Sequence, residues 1–402
     1  MSFLPTAAPE ALLVAGTRPE AIKLAPLALA MAAAGRIRPI VLAAGQHPTM
    51  VHEALAAFGL RPDAELRLDR RTGALAELAA AVVAGIDRLL AERGPAVVVV
   101  QGDTTTAAMA AQAAFWRQIP VVHLEAGLRS HDLYSPFPEE ANRKIIGQVA
   151  ALHLAPTTEA QANLAAEGIA GPNLLTIGNT VVDAVRTIAG LSRECSDARL
   201  EAAIERARSG GTRLVLVTAH RRESWGAPLN EVLRAVADLV AAHPDIEVVL
   251  PVHPNPLVGD QVRTVLGGLP RVTLTEALPY QDLVRALSAA TLVISDSGGI
   301  QEEAPSFGAP VLVLREVTER MEAVRAGCAL LVGTDRAKLT GAANRLLRDE
   351  QARRAMTAAG NPFGDGSSAD RAEQAIAWLL RLAAEPPAEF GAAPRAGLPT
   401  AA

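Results

Sequence analysis

The stretch PAVVVVQGDTTTA (Pro95–Ala107) decides how the rest of the chain is read. Its first half is a continuous valine run, the pattern of a buried strand in an α/β protein. Its second half leaves that core directly into Asp103 and three threonines. Asp and Thr suit the cap of a following helix, but polar groups crowded at the exit of a buried strand also suit a ligand held beyond the sheet edge.

The same pattern recurs outward in both directions. In the first half, strands are predicted at Leu12 to Ala15, Arg38 to Leu42, Ala96 to Val100, Val121 to Leu124, Ala151 to Leu154 and Leu174 to Ile177, separated by Ala/Leu-rich amphipathic stretches. After a polar helical stretch near Cys195 to Ser209, a second series follows in GTRLVLVTAH, IEVVLPVHP, RVTLTEA, ATLVISDSGG, APVLVLRE and CALLVGTD. The fold class is therefore α/β, with two doubly wound parallel sheets. The predicted division is an N-terminal Rossmann-like domain over 1–180 and a second such domain over 181–365. A last amphipathic helix falls within 366–385, and the Pro/Ala/Gly-rich tail 386–402 is predicted to be disordered.

Composition removes several function classes. The 402 residues carry 43 acidic and 38 basic side chains, a formal net charge of −5 mixed along the chain, so no basic face for nucleic acid is evident. The two cysteines, Cys195 and Cys328, are far apart and outside any CxxC pattern, which supports neither a disulfide framework nor a thiolate zinc site. No leader pattern opens the chain and no apolar run is long enough to cross a bilayer, so a soluble cytoplasmic protein with no membrane partner is expected.

Polar motifs cluster just after the predicted strands: AGTRPE, AAGQH, QGDTTTA, HLEAGLRS, LAPT, IGNT, VTAHRRES, PVHPNP and SDSGG. In open α/β sheets, ligands bind at the carboxyl ends of the strands. No GxGxxG follows a strand and no Gly-Lys dipeptide occurs, so neither a dinucleotide fingerprint nor a Walker A loop is present. SDSGGIQEEA offers a different phosphate site, with Ser297, Gly298 and Gly299 at a helix N-terminus. Glu302 or Glu303, one turn further on, suits ribose hydroxyls, and spacing alone does not choose between them. Arg18 and Lys23 in GTRPEAIK lie near one helix face, where both can reach an anion. His220 stands beside Arg221 and Arg222 at the first strand exit of the second domain. Asp103, Glu125, and Glu139 with Glu140 are the candidate carboxylates for proton transfer, although the last two also fit the first turn of a helix. No metal-ligand spacing competes with them.

Taken together, GTRPEAIKLAP, QGDTTTA, HLEAGLRS, PFPEEANRKIIG, VTAHRRES, PVHPNP and DSGGIQEEAPSFGAPVLVLREVTERMEAV closely resemble the non-hydrolysing UDP-N-acetylglucosamine 2-epimerases. The resemblance runs from about Leu12 to the last helix. It implies a GT-B architecture, two Rossmann-like domains around a nucleotide-sugar cleft with the last helix crossing back to the first domain, and a homodimer. It makes Asp103, Glu125, Glu139 and His220 the catalytic set. It makes Arg18, Lys23, Arg143, Ser297, Gly298, Gly299, Glu303 and Arg320 substrate-binding positions. Some bacterial members of the family bind a second UDP-sugar as activator, and Gln46, His47, Arg221 and His253 match that site in part, whereas Thr49 replaces a common Gln. Leu278 and Leu283 also depart from the family pattern, near the expected uracil contacts.

The chemistry implied is reversible inversion at C2 of UDP-N-acetylglucosamine, giving UDP-N-acetylmannosamine through loss and re-addition of UDP. The C2–H has no adjacent carbonyl to acidify it, so C1–O cleavage must come first. No cofactor is needed. A related branch acts on C6-carboxylated, diacetamido UDP-sugars, and GT-B glycosyltransferases share the architecture.

Overall fold

The valine run becomes strand β4 (Val97–Gln101), hydrogen-bonded in parallel to β1 (Glu10–Ala15) on one side and β5 (Val121–Leu124) on the other. The computed structural model describes residues 8–45, 48–68, 71–191, 193–221 and 224–391. With β2 (Arg38–Ala43), β3 (Ala64–Glu65), β6 (Leu152–Ala155) and β7 (Leu174–Thr176), these strands form a seven-stranded parallel sheet in the order β3-β2-β1-β4-β5-β6-β7. Val97 to Val100 are fully buried, as expected of a central strand covered by helices on both faces.

The second series gives β8 (Arg213–Thr218), β9 (Ile246–Pro251), β10 (Val272–Thr275), β11 (Ala290–Ser295), β12 (Val311–Val313) and β13 (Ala329–Leu331). They pair in parallel as a six-stranded sheet, β10-β9-β8-β11-β12-β13. Strand order reverses direction between β1 and β4 in the first sheet and between β8 and β11 in the second, the positions where doubly wound sheets bind ligands.

The chain divides into two compact units, one built from the described residues up to Ala184 and from Gly364 onward, the other from Val185–Phe363. In the first unit, helix Thr105–Trp116 is alanine-rich, and its buried alanines let it lie close against the sheet. Gly16, at the exit of β1, is needed for this approach: a Cβ there would stand 2.7 Å from Thr106 Oγ1. The second unit buries Val215, Val217, Leu233, Val248 and Leu292 in one apolar cluster between sheet and helices.

Two features depart from the expectations. β3 is an additional edge strand of only two residues, too short to leave a periodic signal. The described part of the tail, residues 386–391, is also tied to the sheet: Phe390 N donates to Thr176 O at 2.8 Å, and Thr176 N donates to Glu389 Oε2 at 2.9 Å. This segment thereby satisfies backbone groups on edge strand β7 that would otherwise be open. The last helix, Ser368–Leu379, packs on helix Arg18–Ala34 within the first unit, and Arg36 Nε reaches Glu373 Oε1 at 2.7 Å.

Candidate active site

In the first unit, charged and amide side chains converge at the exits of β1, β4, β5 and β7. Gly102 follows β4 with φ 68°, a backbone conformation that favours glycine, and turns the chain so that Asp103 leaves the sheet edge. Asp103 is then held by Arg143, whose Nε and Nη2 lie 2.8 and 2.7 Å from Oδ2, and its carbonyl accepts from Asn142 Nδ2 at 2.9 Å. Glu125, just past β5, is itself in the left-handed region at φ 64°, a strained setting for a residue with a Cβ. Its buried carboxylate is in contact with the Lys23 ammonium and with Gln101 Nε2, and accepts from Asn179 Nδ2 at 2.9 Å.

The pair Glu139 and Glu140 separates in the structure. Glu140 is fully buried and accepts from Ser130 N at 3.0 Å and Arg143 Nη1 at 3.0 Å. Burial works against its charge, but the Ser130 N–H and the Arg143 guanidinium outweigh that and hold the carboxyl below its ordinary range. Glu139 is half-buried at the start of helix Glu139–Val149 and makes no hydrogen bond or ion pair among the described residues.

Glu20 is buried at the start of helix Arg18–Ala34. Burial pushes its carboxyl up to about 7, although hydrogen bonds from Thr104, Thr17 and Gly16 act in the opposite direction. Beneath the site, His123 Nε2 lies 2.8 Å from Gly102 O, so that nitrogen carries the proton. Burial drives His123 down to about 3 and His153, its register partner on β6, down to about 4, so both rings are neutral.

In the second unit the exits of β8 and β11 meet. Buried Asp296 accepts from the backbone N–H groups of His220 and Arg221, both at 2.8 Å through Oδ2, and its Oδ1 lies 3.0 Å from His220 Nδ1. Burial opposes its charge, but the His220 ring and these two N–H groups keep the Asp296 carboxyl below its ordinary range. Ser297 precedes the short helix Gly298–Glu303. The Arg320 guanidinium lies beside Gly298, with Cζ 3.4 Å from where a Cβ would stand, and its Nε bonds Glu302 Oε1 at 2.9 Å. Glu303 receives the Tyr280 hydroxyl at 3.5 Å, whereas Glu302 faces Arg320.

The structure thus gathers Lys23, Asp103, Glu125 and Arg143 at one sheet edge, with Glu139 opening the helix that carries Arg143 and exposed Arg18 opening the one that carries Lys23. His220, Ser297, Gly298, Gly299, Glu303 and Arg320 gather at the corresponding edge of the second unit. Arg221 meets Asp296 through its backbone, and the His253 ring stands edge-on to Trp225 at 5.5 Å. Gln46 and His47 lie outside the described residues. The sequence reading missed Glu20, Gln101, Asn179 and Asp296 as members of these clusters. Gln101, Asn179 and Asp296 sit at or just after a strand exit and Glu20 in the first turn of the helix that follows β1, but position alone does not single them out.

A profile of the UDP-N-acetylglucosamine 2-epimerases matches residues 29–377. The chain belongs to that family. Its members are isomerases, and the one from Escherichia coli K12 is 43% identical over 366 residues, covering 91% of this chain and 97% of that protein. The UDP-GlcNAc 2-epimerase of Neisseria meningitidis, solved bound to UDP-GlcNAc, superposes with a TM-score of 0.82 at 35% identity over 92% of this chain and all of that one. The enzyme of Methanocaldococcus jannaschii, solved with UDP-GlcNAc and UDP, gives 0.73 at 29% identity, covering 93% and 99%. The epimerase fold accounts for both parallel-sheet units.

Proposed function

We infer that this chain interconverts UDP-N-acetylglucosamine and UDP-N-acetylmannosamine by loss and re-addition of UDP. The observation that carries the reading is the presence of two carboxylates at neighbouring strand exits in different surroundings. Asp103 is partly open and held on one oxygen by Arg143, while Glu125 is enclosed by Lys23, Gln101 and Asn179. Groups of one chemical type in unlike environments can divide acid and base roles between them.

In the first step the C1–O bond breaks, its electron pair leaves with UDP, and positive charge develops at C1. A carboxylate then takes the C2 proton to give 2-acetamidoglucal. Asp103 and Glu139 are assigned to this elimination. In the second step Glu125 and His220 serve re-addition: a proton reaches the opposite face of C2 and UDP bonds again to C1. Asp296 Oδ1 stands 3.0 Å from His220 Nδ1, and Nε2 is the nitrogen assigned to proton exchange. Ser297, Gly298 and Gly299 present backbone N–H groups to the diphosphate, Arg18 and Arg320 add positive charge, and Glu303 accepts from ribose hydroxyls. The reading includes a homodimer in the cytoplasm, with Arg221 and His253 available to a second UDP-sugar.

Proton NMR of the enzyme with UDP-N-acetylglucosamine in D₂O tests this. UDP-N-acetylmannosamine deuterated at C2, accumulating beside similarly labelled starting sugar, is expected. Free N-acetylmannosamine with UDP would mean hydrolysis, and transfer only on addition of an acceptor would mean a glycosyltransferase. Light scattering should give the mass of two chains.

A further inference from the structure

Glu20 is a buried carboxylate beside this sheet edge that the mechanism leaves unused, and its surroundings are unusual. It is 1% exposed, and among the described residues no cation pairs with it. Oε2 accepts from Gly16 N at 3.0 Å and Thr17 Oγ1 at 2.7 Å, and Oε1 accepts from Thr104 Oγ1 at 2.7 Å. The first two donors belong to the loop after β1 and the third to the loop after β4. These strands are neighbours at the point where the sheet order reverses. Arg18 directly follows Thr17, and Asp103 directly precedes Thr104. The Thr104 hydroxyl is engaged on both sides, because it also caps helix Thr105–Trp116 by accepting from Ala107 N at 3.0 Å.

We propose that Glu20 is a positioning residue: its carboxylate fastens the loop after β1 to the loop after β4 and thereby fixes where Asp103 stands. The inference rests on the assignment of Asp103 to proton transfer. Three donors converging on one side chain require an acceptor at both oxygens, which an ionised carboxylate provides and an amide does not. A buried carboxylate without a cation is costly to the fold, so simple packing is a poor reason for its presence. Three residues further along the same helix, Lys23 contacts Glu125, so the opening turns of one helix hold both strand-exit carboxylates in place.

The groups facing Glu20 from both loops, Gly16, Thr17 and Thr104, are neutral. Of its charged chain neighbours, Arg18 and Lys23 on its own helix and Asp103 and Glu125 at adjoining strand exits, none pairs with it. With burial pushing its carboxyl to about 7, Glu20 exchanges its proton across neutral pH. Below that range the protonated group presents a donor on one oxygen, and the fastening loosens.

The test compares wild type with Glu20→Gln, a stand-in for the protonated acid. At pH 8 the variant is expected to lose on the order of 10- to 100-fold in kcat, the scale of a small misplacement of a reacting group, with KM for UDP-N-acetylglucosamine nearly unchanged. Its kcat should stay flat where wild type rises through pH 7, and its Tm at pH 8 should equal or exceed wild type because a buried charge is gone. Hydrogen exchange of residues 16–18 and 102–105 should quicken, a readout that does not depend on turnover. Faster exchange with unchanged kcat and pH profile would overturn the positioning role, and unchanged exchange would overturn the fastening itself. Failure of wild type to epimerise would instead remove the reading of Asp103 and the positioning role with it. If Glu20→Gln does not fold, Thr104→Val and Thr104→Ser probe the link from its other end. Loss of kcat in the valine variant restored by serine supports the proposal, and a fully active valine variant overturns it.

Discussion

Asp103 and Glu125 stand one strand apart, and their partners predict different consequences of substitution. Asp103→Asn keeps the shape and the Asn142 contact to the carbonyl but removes the ionisable group assigned to the elimination, so kcat should fall by about 10²- to 10⁴-fold, the usual worth of a positioned proton-transfer group, as measured from initial rates of deuterium incorporation. Near-normal turnover in that variant would sink the assignment. Lys23→Met acts on stability as well, because it leaves the buried Glu125 carboxylate with only amide partners. A loss of about 3–5 kcal/mol is expected in urea unfolding, the scale for removing one partner of a buried ion pair. These two acids were legible in the sequence because each follows an unmistakable strand. Glu20, Gln101, Asn179 and Asp296 were not, because what defines them is a partner supplied by the fold. Thr104 meets Glu20 across 84 positions, Asn179 meets Glu125 across 54, and His220 N meets Asp296 across 76.

At the scale of elements, the junction of β1 and helix Thr105–Trp116 depends on one absent side chain. In Gly16→Ala the new methyl would collide with Thr106, and the loss should be about 1–3 kcal/mol, the cost of overpacking, read as a lower urea midpoint. An unchanged midpoint would mean that the helix can retreat without cost. Twelve of the thirteen strands among the described residues were readable, since each central strand is a β-branched run bounded by polar residues. β3 is too short to carry a period, and the stretch around Glu389 and Phe390 has the composition of a tail. Its order comes from the open edge of β7, which no local pattern encodes. Spacing was equally unable to separate Glu139 from Glu140, and the position of Arg143 and the Ser130 loop decides it.

Over the whole molecule, four buried groups of the first unit oppose one another as pH changes. His123 and His153 titrate at about 3 and 4 when folded, against 6.5 for an ordinary histidine, so the unfolded chain binds their protons first. Their contribution is fully present above pH 6.5 and is lost as pH falls toward 4. Glu20 and Asp183 go the other way, with folded values raised by burial to about 7 and about 6. Their contribution is present below the ordinary carboxyl values of 4.5 and 3.8 and is lost as pH rises through 6 and 7. The two slopes nearly cancel between about pH 5 and 6, so the joint contribution of these four groups to urea stability of the first unit should be almost flat there. Glu20→Gln removes one opposing slope, and in that variant stability should drop visibly over the same interval as the pH is lowered. Parallel curves for the two proteins would refute this. The return of the last helix and the Glu389–Phe390 segment to the first unit has a separate consequence, for the order of events during synthesis. The unit that begins first on the ribosome is completed last: residues 185–363 can close into their own sheet while the β7 edge and the outer face of helix Arg18–Ala34 wait for the C-terminus to emerge. A chain cut short near Phe363 and released would therefore carry a finished second half joined to an unsealed first one.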